Sequence, residues 1–271
     1  MNMSIVGKYV MHNGSIIEGV SFSSEKKGMK IYEVIRVMKG KYLFLEDHLA
    51  RLHNSVRLAG EVVPVDEKTL VGLLYQLIEA NKMEQGNVKV VFLYPEDRPD
   101  YYAHFIPHSY PSEEQYQQGV AVKSLKAERP NPNAKIWHDS LKQEVEKMLS
   151  EKNIYEAVLI DAEGYILEGS RSNIFFIRED KLITAPYEKI LPGITRRYVL
   201  QCALRHQLDI EERCLHYKEL TSVDAVFLSG TSPKILPVAL FDSYSFSSDN
   251  TFLRGLMKCY DGVIEEYLNR K

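Results

Sequence analysis

Between residues 30 and 78 the apolar residues change their spacing, and that change constrains the fold more than any other feature of the chain. Residues 30–38 and 42–45 have the pattern of paired strands turning at Lys39-Gly40-Lys41. Beyond them Leu49, Leu52, Val56 and Ala59 fall on one helical face, and Gly60 is placed to stop that helix. A second stripe follows in Leu70, Leu73, Leu74, Leu77 and Ile78. Strands mixed with segregated helices predict an α+β chain, because each helical stripe has to be buried against a sheet.

The same reading extends in both directions. Gly7-Lys8-Tyr9-Val10-Met11 and Ser15-Ile16-Ile17 flank Asn13-Gly14, a strong hairpin signal. Residues 88–94 and 103–107 read as strands around the turn-rich PEDRPD. The stretch 108–118, rich in Pro, Ser, Glu and Gln, is the candidate linker. It separates a small N-terminal domain, 1–112, from a larger one, 119–271, with the linker proper at 113–118. In the second part GVAVKSL is a strand and ERPNPNAK an irregular segment. Residues 140–153 form a helix burying Leu141, Val145, Met148 and Leu149, with Ser140 and Gln143 at capping-box spacing. Strands are expected at 155–161, 165–167, 173–177 and 182–184, and helices from about Thr195 and over 252–269.

Composition removes several functions. A formal net charge of -3 offers no broad electrostatic case for nucleic acid or an anionic membrane. Cys202, Cys214 and Cys259 are an odd number without CxxC spacing, which argues against a disulfide framework or a zinc site, so no metal is expected. No apolar run has bilayer length, and MNMSIVGKYVMHNGS lacks the pattern of a signal peptide. The expectation is a soluble cytoplasmic enzyme.

Four segments carry possible chemistry. In NPNAKIWHDS, Lys135 follows a rigid proline-containing stretch and precedes a helix. An amine fixed there can be desolvated enough to attack an aldehyde, although a lone lysine is ordinarily a solvated surface residue. In LEGSRSNIFFI, Glu168 sits beside a small-residue turn that leads into an apolar strand, as a buried acid seeking a cation or as a turn residue bonded to amides. In LPGITRR a Pro-Gly turn leads directly into a helix, so the N–H groups of Ile194 and Thr195 can bind an anion, or Thr195 simply caps the helix. In FLSGTSPKILPV a strand ends in Ser-Gly-Thr-Ser, another anion-binding shape and also an ordinary turn. Arg51 lies three residues after His48 on the polar side of its helix, where such residues are mostly solvated.

Together with YEVIRVMKGKYLFLEDHLARL and YEAVLIDAEGYILEGSRSNIFFI, these pieces resemble the class IV aminotransferases, the fold-type IV pyridoxal-phosphate enzymes. That family includes branched-chain and D-amino acid aminotransferases and aminodeoxychorismate lyase. The resemblance runs from about Lys30 to Val238 in the family's order. It implies a two-domain α+β architecture, with a small α/β N-terminal domain and a larger β-rich C-terminal one. Pyridoxal 5′-phosphate is the implied cofactor, and Lys135 matches its Schiff-base lysine, 21 residues before Glu156. Lys142 would require a gap and lies within a helix. Glu168 matches the acid that pairs with the pyridine nitrogen, and Arg51 the arginine that reaches the phosphate. Ile194 and Thr195 match the phosphate-binding helix start, and Thr231 and Ser232 the turn that binds phosphate and, in some relatives, the substrate carboxylate.

The resemblance also implies amino acid and 2-oxo acid substrates, such as 2-oxoglutarate as acceptor, and a homodimer. Tyr32, Glu33 and Arg36 are similar to a branched-chain segment. Tyr32 and Arg36 share one face of a strand, where Arg36 can bind a substrate carboxylate or join a cross-strand ion pair. The Arg-x-His trap of D-amino acid aminotransferases is reduced here to Tyr102-Ala103-His104, keeping only His104. Ser140 stands where branched-chain relatives usually have a tyrosine. The expectation is transamination of an L-, branched-chain-like amino acid, with 4-amino-4-deoxychorismate lyase activity, releasing pyruvate, as the alternative.

Overall fold

The computed structural model describes residues 5–23 and 27–270, so the first four residues of the N-terminal stretch lie outside the described residues. The chain divides into two compact units. One comprises Met1–Ser109 with Ala134–Trp137 and Tyr267–Lys271; the other comprises Tyr110–Asn133 and His138–Glu266.

The first unit is an antiparallel sheet covered by helices. Its strands are β1 (Val6–His12), β2 (Ser15–Glu18), β3 (Met29–Met38), β4 (Lys41–Tyr42), β5 (Gly86–Tyr94) and β6 (Asp100–Ile106), in the order β2-β1-β6-β5-β3-β4. Both predicted hairpins form. Asn13 and Gly14 have φ of 44° and 85°, and Lys39 and Gly40 have φ of 51° and 71°, the left-handed pairs that let two-residue turns match strand twist. Residues 42–45 differ from expectation. Only Lys41–Tyr42 pairs as a strand, and helix α1 (Leu45–Leu58) begins at Leu45. Alternation along β3 sends Ile31, Glu33, Ile35 and Val37 to the buried side. Leu49, Leu52 and Val56 of α1 and the stripe of α2 (Glu67–Asn81) join the same apolar cluster. Each fully buried Leu or Ile there contributes about 2 kcal/mol.

Two later segments return to this unit. Tyr32 N–H donates to the Lys135 carbonyl at 3.1 Å and Trp137 N–H to that of Lys30 at 2.9 Å, so residues 134–137 strap the free edge of β3. Tyr267 packs edge-on against Phe44 and its hydroxyl accepts from Leu45 N–H at 3.0 Å. Phe44 has φ 54°, an uncommon conformation for a bulky residue, and it starts α1.

The second unit holds a ten-stranded mixed sheet. Its strands are β7 (Val120–Lys126), β8 (Glu156–Ile160), β9 (Tyr165–Gly169), β10 (Asn173–Arg178), β11 (Lys181–Thr184), β12 (Asp209–Glu212), β13 (Leu215–His216), β14 (Ala225–Gly230), β15 (Lys234–Phe241) and β16 (Tyr244–Ser245). The order is β12-β11-β10-β14-β15-β7-β8-β9-β13, with β16 on β15. β8, β10 and β14 are buried on both faces, which explains their unbroken apolar runs. One face carries Val158, Ile174, Phe176, Val226 and Leu228; on the other Phe175 and Phe227 stack at 4.9 Å.

Helices α3 (Glu113–Gln118), α4 (Asp139–Lys152), α5 (Ile194–Arg205) and α6 (Thr251–Leu268) complete the chain. Three sequence expectations change here. The linker at 113–118 is instead α3, opened by a capping box between Ser112 and Gln115. On α4 the N-cap is His138, with no side-chain cap bond, rather than Ser140. Only Val145 of its apolar stripe is buried, because Leu141, Met148 and Leu149 are half-covered. No helix among the described residues is long and apolar enough to cross a membrane.

Asn81 joins α2 to β1. Its Oδ1 accepts from Lys8 and Tyr9 N–H at 2.8 and 2.9 Å, and its Nδ2 donates to the Tyr9 carbonyl at 3.1 Å. Gly7 (φ 88°) makes room for it, since a Cβ there would lie 2.4 Å from Asn81 Oδ1. The Gly7→Ala change is therefore expected to cost about 2 kcal/mol through left-handed strain and loss of these bonds, read by urea unfolding.

Candidate active site

Of the residues singled out from sequence, Lys135, Tyr32, Arg36, Arg51 and His104 belong to the first unit, and Glu168, Ile194, Thr195, Thr231 and Ser232 to the second. Each set is built differently.

In the first unit the organising group is Glu33, fully buried at an apolar position of β3. Arg51 clamps it, donating from Nε and Nη2 at 2.7 Å each, and His48 Nδ1 donates at 2.9 Å. Burial alone would raise the Glu33 pKa. The Arg51 charge and bonds, with the His48 bond, outweigh that and hold the carboxyl far below its usual range. Burial pushes the His48 pKa down against the opposing pull of Glu33, which leaves a neutral ring donating its Nδ1 proton. His48 and Arg51 are thus buried, not solvated on a polar helix face; the carboxylate brings the polar stripe inward. The signal was Glu33 itself, standing in the apolar register between Ile31 and Ile35.

One turn beyond Arg51, Ser55 Oγ donates to the Arg51 carbonyl at 2.9 Å and accepts from Lys135 N–H at 3.1 Å. α1 therefore fixes the backbone of Lys135, whose Nζ lies 4.9 Å from the Tyr32 ring centroid. Tyr32 meets Trp137 edge-on at 5.3 Å. Lys142, the other lysine weighed from sequence, sits on α4 and pairs with Glu146 at 3.3 Å.

Tyr32 and Arg36 lie on the face of β3 away from the helices. Directly across from Arg36 on β5 is Asn87. On the same face His104 is buried and stacks on Tyr102 at 6.0 Å. Its Nδ1 has no hydrogen-bond partner among the described residues. Burial first, and the Lys89 charge second, bring its pKa down to about 4.

In the second unit Glu168 is 3% exposed. Its Oε1 accepts from Arg129 Nε at 2.7 Å and its Oε2 from Leu191 N–H at 3.1 Å. Arg129 also donates to the Ser170 carbonyl. Asn173 Nδ2 approaches Glu168 Oε2 at 3.4 Å and donates to the Leu191 carbonyl at 2.9 Å. The turn after Glu168 is wrapped around a second carboxylate. Glu156 accepts from the hydroxyls of Ser170 and Ser172 at 2.5 and 3.1 Å. Sequence reading missed Arg129, hidden in the irregular ERPNPN stretch, and Asn173.

α5 is capped by Gly193, not Thr195, and no side chain caps it, so Ile194 and Thr195 occupy its first two positions. Thr195 is buried, and its Oγ1 accepts from Tyr260 OH at 3.4 Å. A Cβ on Gly193 would come within 2.0 Å of Asn173 Oδ1, which ties the helix start to β10. Across from Asn173 lies Ser229, whose buried Oγ has no partner among the described residues. Thr231 and Ser232 are half-exposed in the turn between β14 and β15.

Residues 30–241 match the family model described as amino-transferase class IV, and the chain belongs to that family of enzymes, whose members use pyridoxal 5′-phosphate. It is 28% identical over 262 residues to the D-alanine aminotransferase of Bacillus licheniformis, covering 88% of this chain and 90% of that one. The solved branched-chain amino acid aminotransferase of Escherichia coli has the same fold (TM-score 0.83, 21% identity, 96% and 95% covered). So does a chain assigned as 4-amino-4-deoxychorismate lyase in Legionella pneumophila (TM-score 0.80, 22% identity, 89% and 95% covered).

Glu33→Ala leaves the Arg51 guanidinium buried without its carboxylate and is expected to cost about 3–5 kcal/mol in urea unfolding. His104 gives a pH dependence. The unfolded ring takes a proton near its ordinary 6.5, whereas the folded ring takes one only near 4. Stability is therefore full above 6.5 and falls by about 3 kcal/mol as pH drops to 4. Unfolding at pH 7.5, 5.5 and 4.5 should show that slope, and His104→Gln should flatten it.

Proposed function

We propose that this chain is a pyridoxal-phosphate-dependent aminotransferase that moves an amino group between an L-, branched-chain-like amino acid and a 2-oxo acid, with Lys135 as the catalytic lysine. The observation that carries this reading is the position of Lys135. The lysine sits outside any helix, on a strap hydrogen-bonded to β3 and Ser55, with its amine beside an aromatic ring. A lysine held in this way presents its amine repeatedly at one place, as covalent catalysis requires.

The second unit fits the cofactor on three counts. It has a buried carboxylate, a helix start without a side-chain cap, and a hydroxyl on Ser229 without a partner among the described residues. Glu168 is the group for the ring nitrogen, held in place by Arg129 and Leu191 N–H. Within this unit, Ile194 and Thr195 at the start of α5 and the turn at Thr231 are the groups for the phosphate, while the assignment of Arg51 to it rests on the family resemblance alone. When bound, pyridoxal phosphate supplies the electron sink that lets a Cα–H bond ionise. Lys135 is the residue that would hold the cofactor through its amine and, when that amine is free, would move a proton at the substrate Cα. Tyr32, Arg36, His104 and Ser232 are assigned to the substrate, with Arg36 on its α-carboxylate. A homodimer is part of the proposal and rests on the family resemblance.

The purified protein should show a visible absorption band from bound cofactor, and one member of a panel of L- and D-amino acids should bleach it. Lys135→Ala should abolish turnover. A band that no amino acid bleaches, with pyruvate released from aminodeoxychorismate, would establish the lyase instead. Absence of any band after adding pyridoxal phosphate would overturn the proposal.

A further inference from the structure

Cys202 and Cys259 have no part in the chemistry above, and both belong to the second unit. All three cysteines of the chain are free. Cys202 lies on α5 and is fully buried, while Cys259 lies on α6 and is half-exposed.

Two contacts show how these helices meet. Tyr260 OH donates to Thr195 Oγ1 at 3.4 Å, near the start of α5. At the other end, the ring of His206, the C-cap of α5, lies over Gly255, where an added Cβ would come within 3.0 Å of its Cε1. The later residue of α5 thus meets the earlier residue of α6, and the chain directions are opposed. Residues four apart lie on one face of a helix, so Cys202 shares a face with His206, and Cys259 with Gly255. One turn back along α5 and one turn forward along α6, Cys202 therefore stands opposite Cys259. The two thiols are within hydrogen-bonding reach. Burial first, and the Cys259 thiol second, push the Cys202 pKa well above the usual thiol range.

The pair divides the labour that oxidation requires. Cys259 is open to a small oxidant, whereas Cys202 is closed off and stays protonated. Cys214 is apart from both, packed against Leu167, Ala185 and Ile190.

We propose that Cys202 and Cys259 form an oxidative modification site, which a peroxide converts to a disulfide that locks α5 to α6. In the first step the Cys259 sulfur attacks one peroxide oxygen, the O–O bond breaks, and Cys259 sulfenic acid and one water form. In the second the Cys202 sulfur attacks that of Cys259 and the S–O bond breaks. The hydroxyl leaves as a second water with the Cys202 proton. Two thiols are oxidised, and one peroxide is reduced to two waters. The bridge encloses residues 203–258, with β12 to β16 in the loop, and closing so long a loop restricts the unfolded chain. The helix so locked is the one whose first residues are proposed for the phosphate.

The test uses the purified protein with pyridoxal phosphate added. It is treated with a small excess of hydrogen peroxide, quenched, denatured and titrated with a thiol reagent. Reactive thiols are expected to fall from three to one, and dithiothreitol to restore them. Peptide mapping without reductant should join the Cys202 and Cys259 peptides within one chain. The melting temperature should rise by about 5 °C or more on oxidation and return on reduction. Cys259→Ser should lose both the linked peptide and the rise, whereas Cys214→Ser should keep both and be left with no reactive thiol.

Three reactive thiols after treatment overturn the proposal. So does a link that involves Cys214 or joins two chains, or an oxidised Cys259 beside a Cys202 that still titrates. A linked protein that melts no higher than the reduced one overturns it as well. Should Cys259→Ser fail to fold, Cys259→Ala takes its place, and the wild-type thiol count and peptide map need no variant. None of these readouts depends on turnover, so they are separate from failure of the aminotransferase reading.

Discussion

Much of the first unit depends on one buried carboxylate. Glu33 occupies a position that alternation reserves for an apolar side chain, and a bare charge there would not be tolerated. The bidentate Arg51 clamp and the His48 bond remove that difficulty and at the same time fix α1 against β3. With the helix fixed, Ser55 is placed to hold the backbone of Lys135, and the strap it anchors sets Trp137 beside Tyr32. The position of the lysine is thus linked to the helix through the Ser55 bridge, itself one turn beyond the ion pair. Buried ion pairs are weak sources of net stability but strong sources of definite geometry once formed.

The second unit uses charge differently. Glu168 is held by Arg129 from one side and a backbone N–H from the other, while Glu156 gathers the serines of the following turn. Two carboxylates therefore shape one loop, and neither is left to find a partner in solvent. The start of α5 is open by contrast, since Gly193 supplies no capping oxygen and Asn173 occupies the space a larger residue would need.

Local signals made most of this fold legible. Asn13-Gly14 adopts a left-handed pair at low cost, Gly40 supplies the same freedom beside Lys39, and the stripes of α1 and α2 have one apolar face each, so local sequence signalled these elements. Two local signals, in 113–118 and at the start of α4, and the elements set by distant partners were misread. The polar composition of 113–118 is equally good for a linker and for a capped surface helix, and the Ser112–Gln115 box decided it. Ser140 lost its capping role because the helix begins one residue earlier. His48 and Arg51 look solvated until Glu33 is placed opposite, and nothing local announces that Arg129 will meet Glu168, 39 residues away. The spacing of Lys135 from its neighbours in sequence was readable; its pairing with the edge of β3 was not.

The strap and the C-terminal residues carry a consequence for how the protein is made. The first unit includes residues 134–137 and 267–271, so its edge strand and the start of α1 acquire their partners late. At synthesis rates of about 5–20 residues per second, Tyr267 emerges roughly 8–30 seconds after Ser109. Until then Phe44 lacks the ring that packs on it, whereas the edge of β3 waits only for residues 134–137. The last contacts of the first unit close only when the rest of the sheet-rich unit has been synthesised.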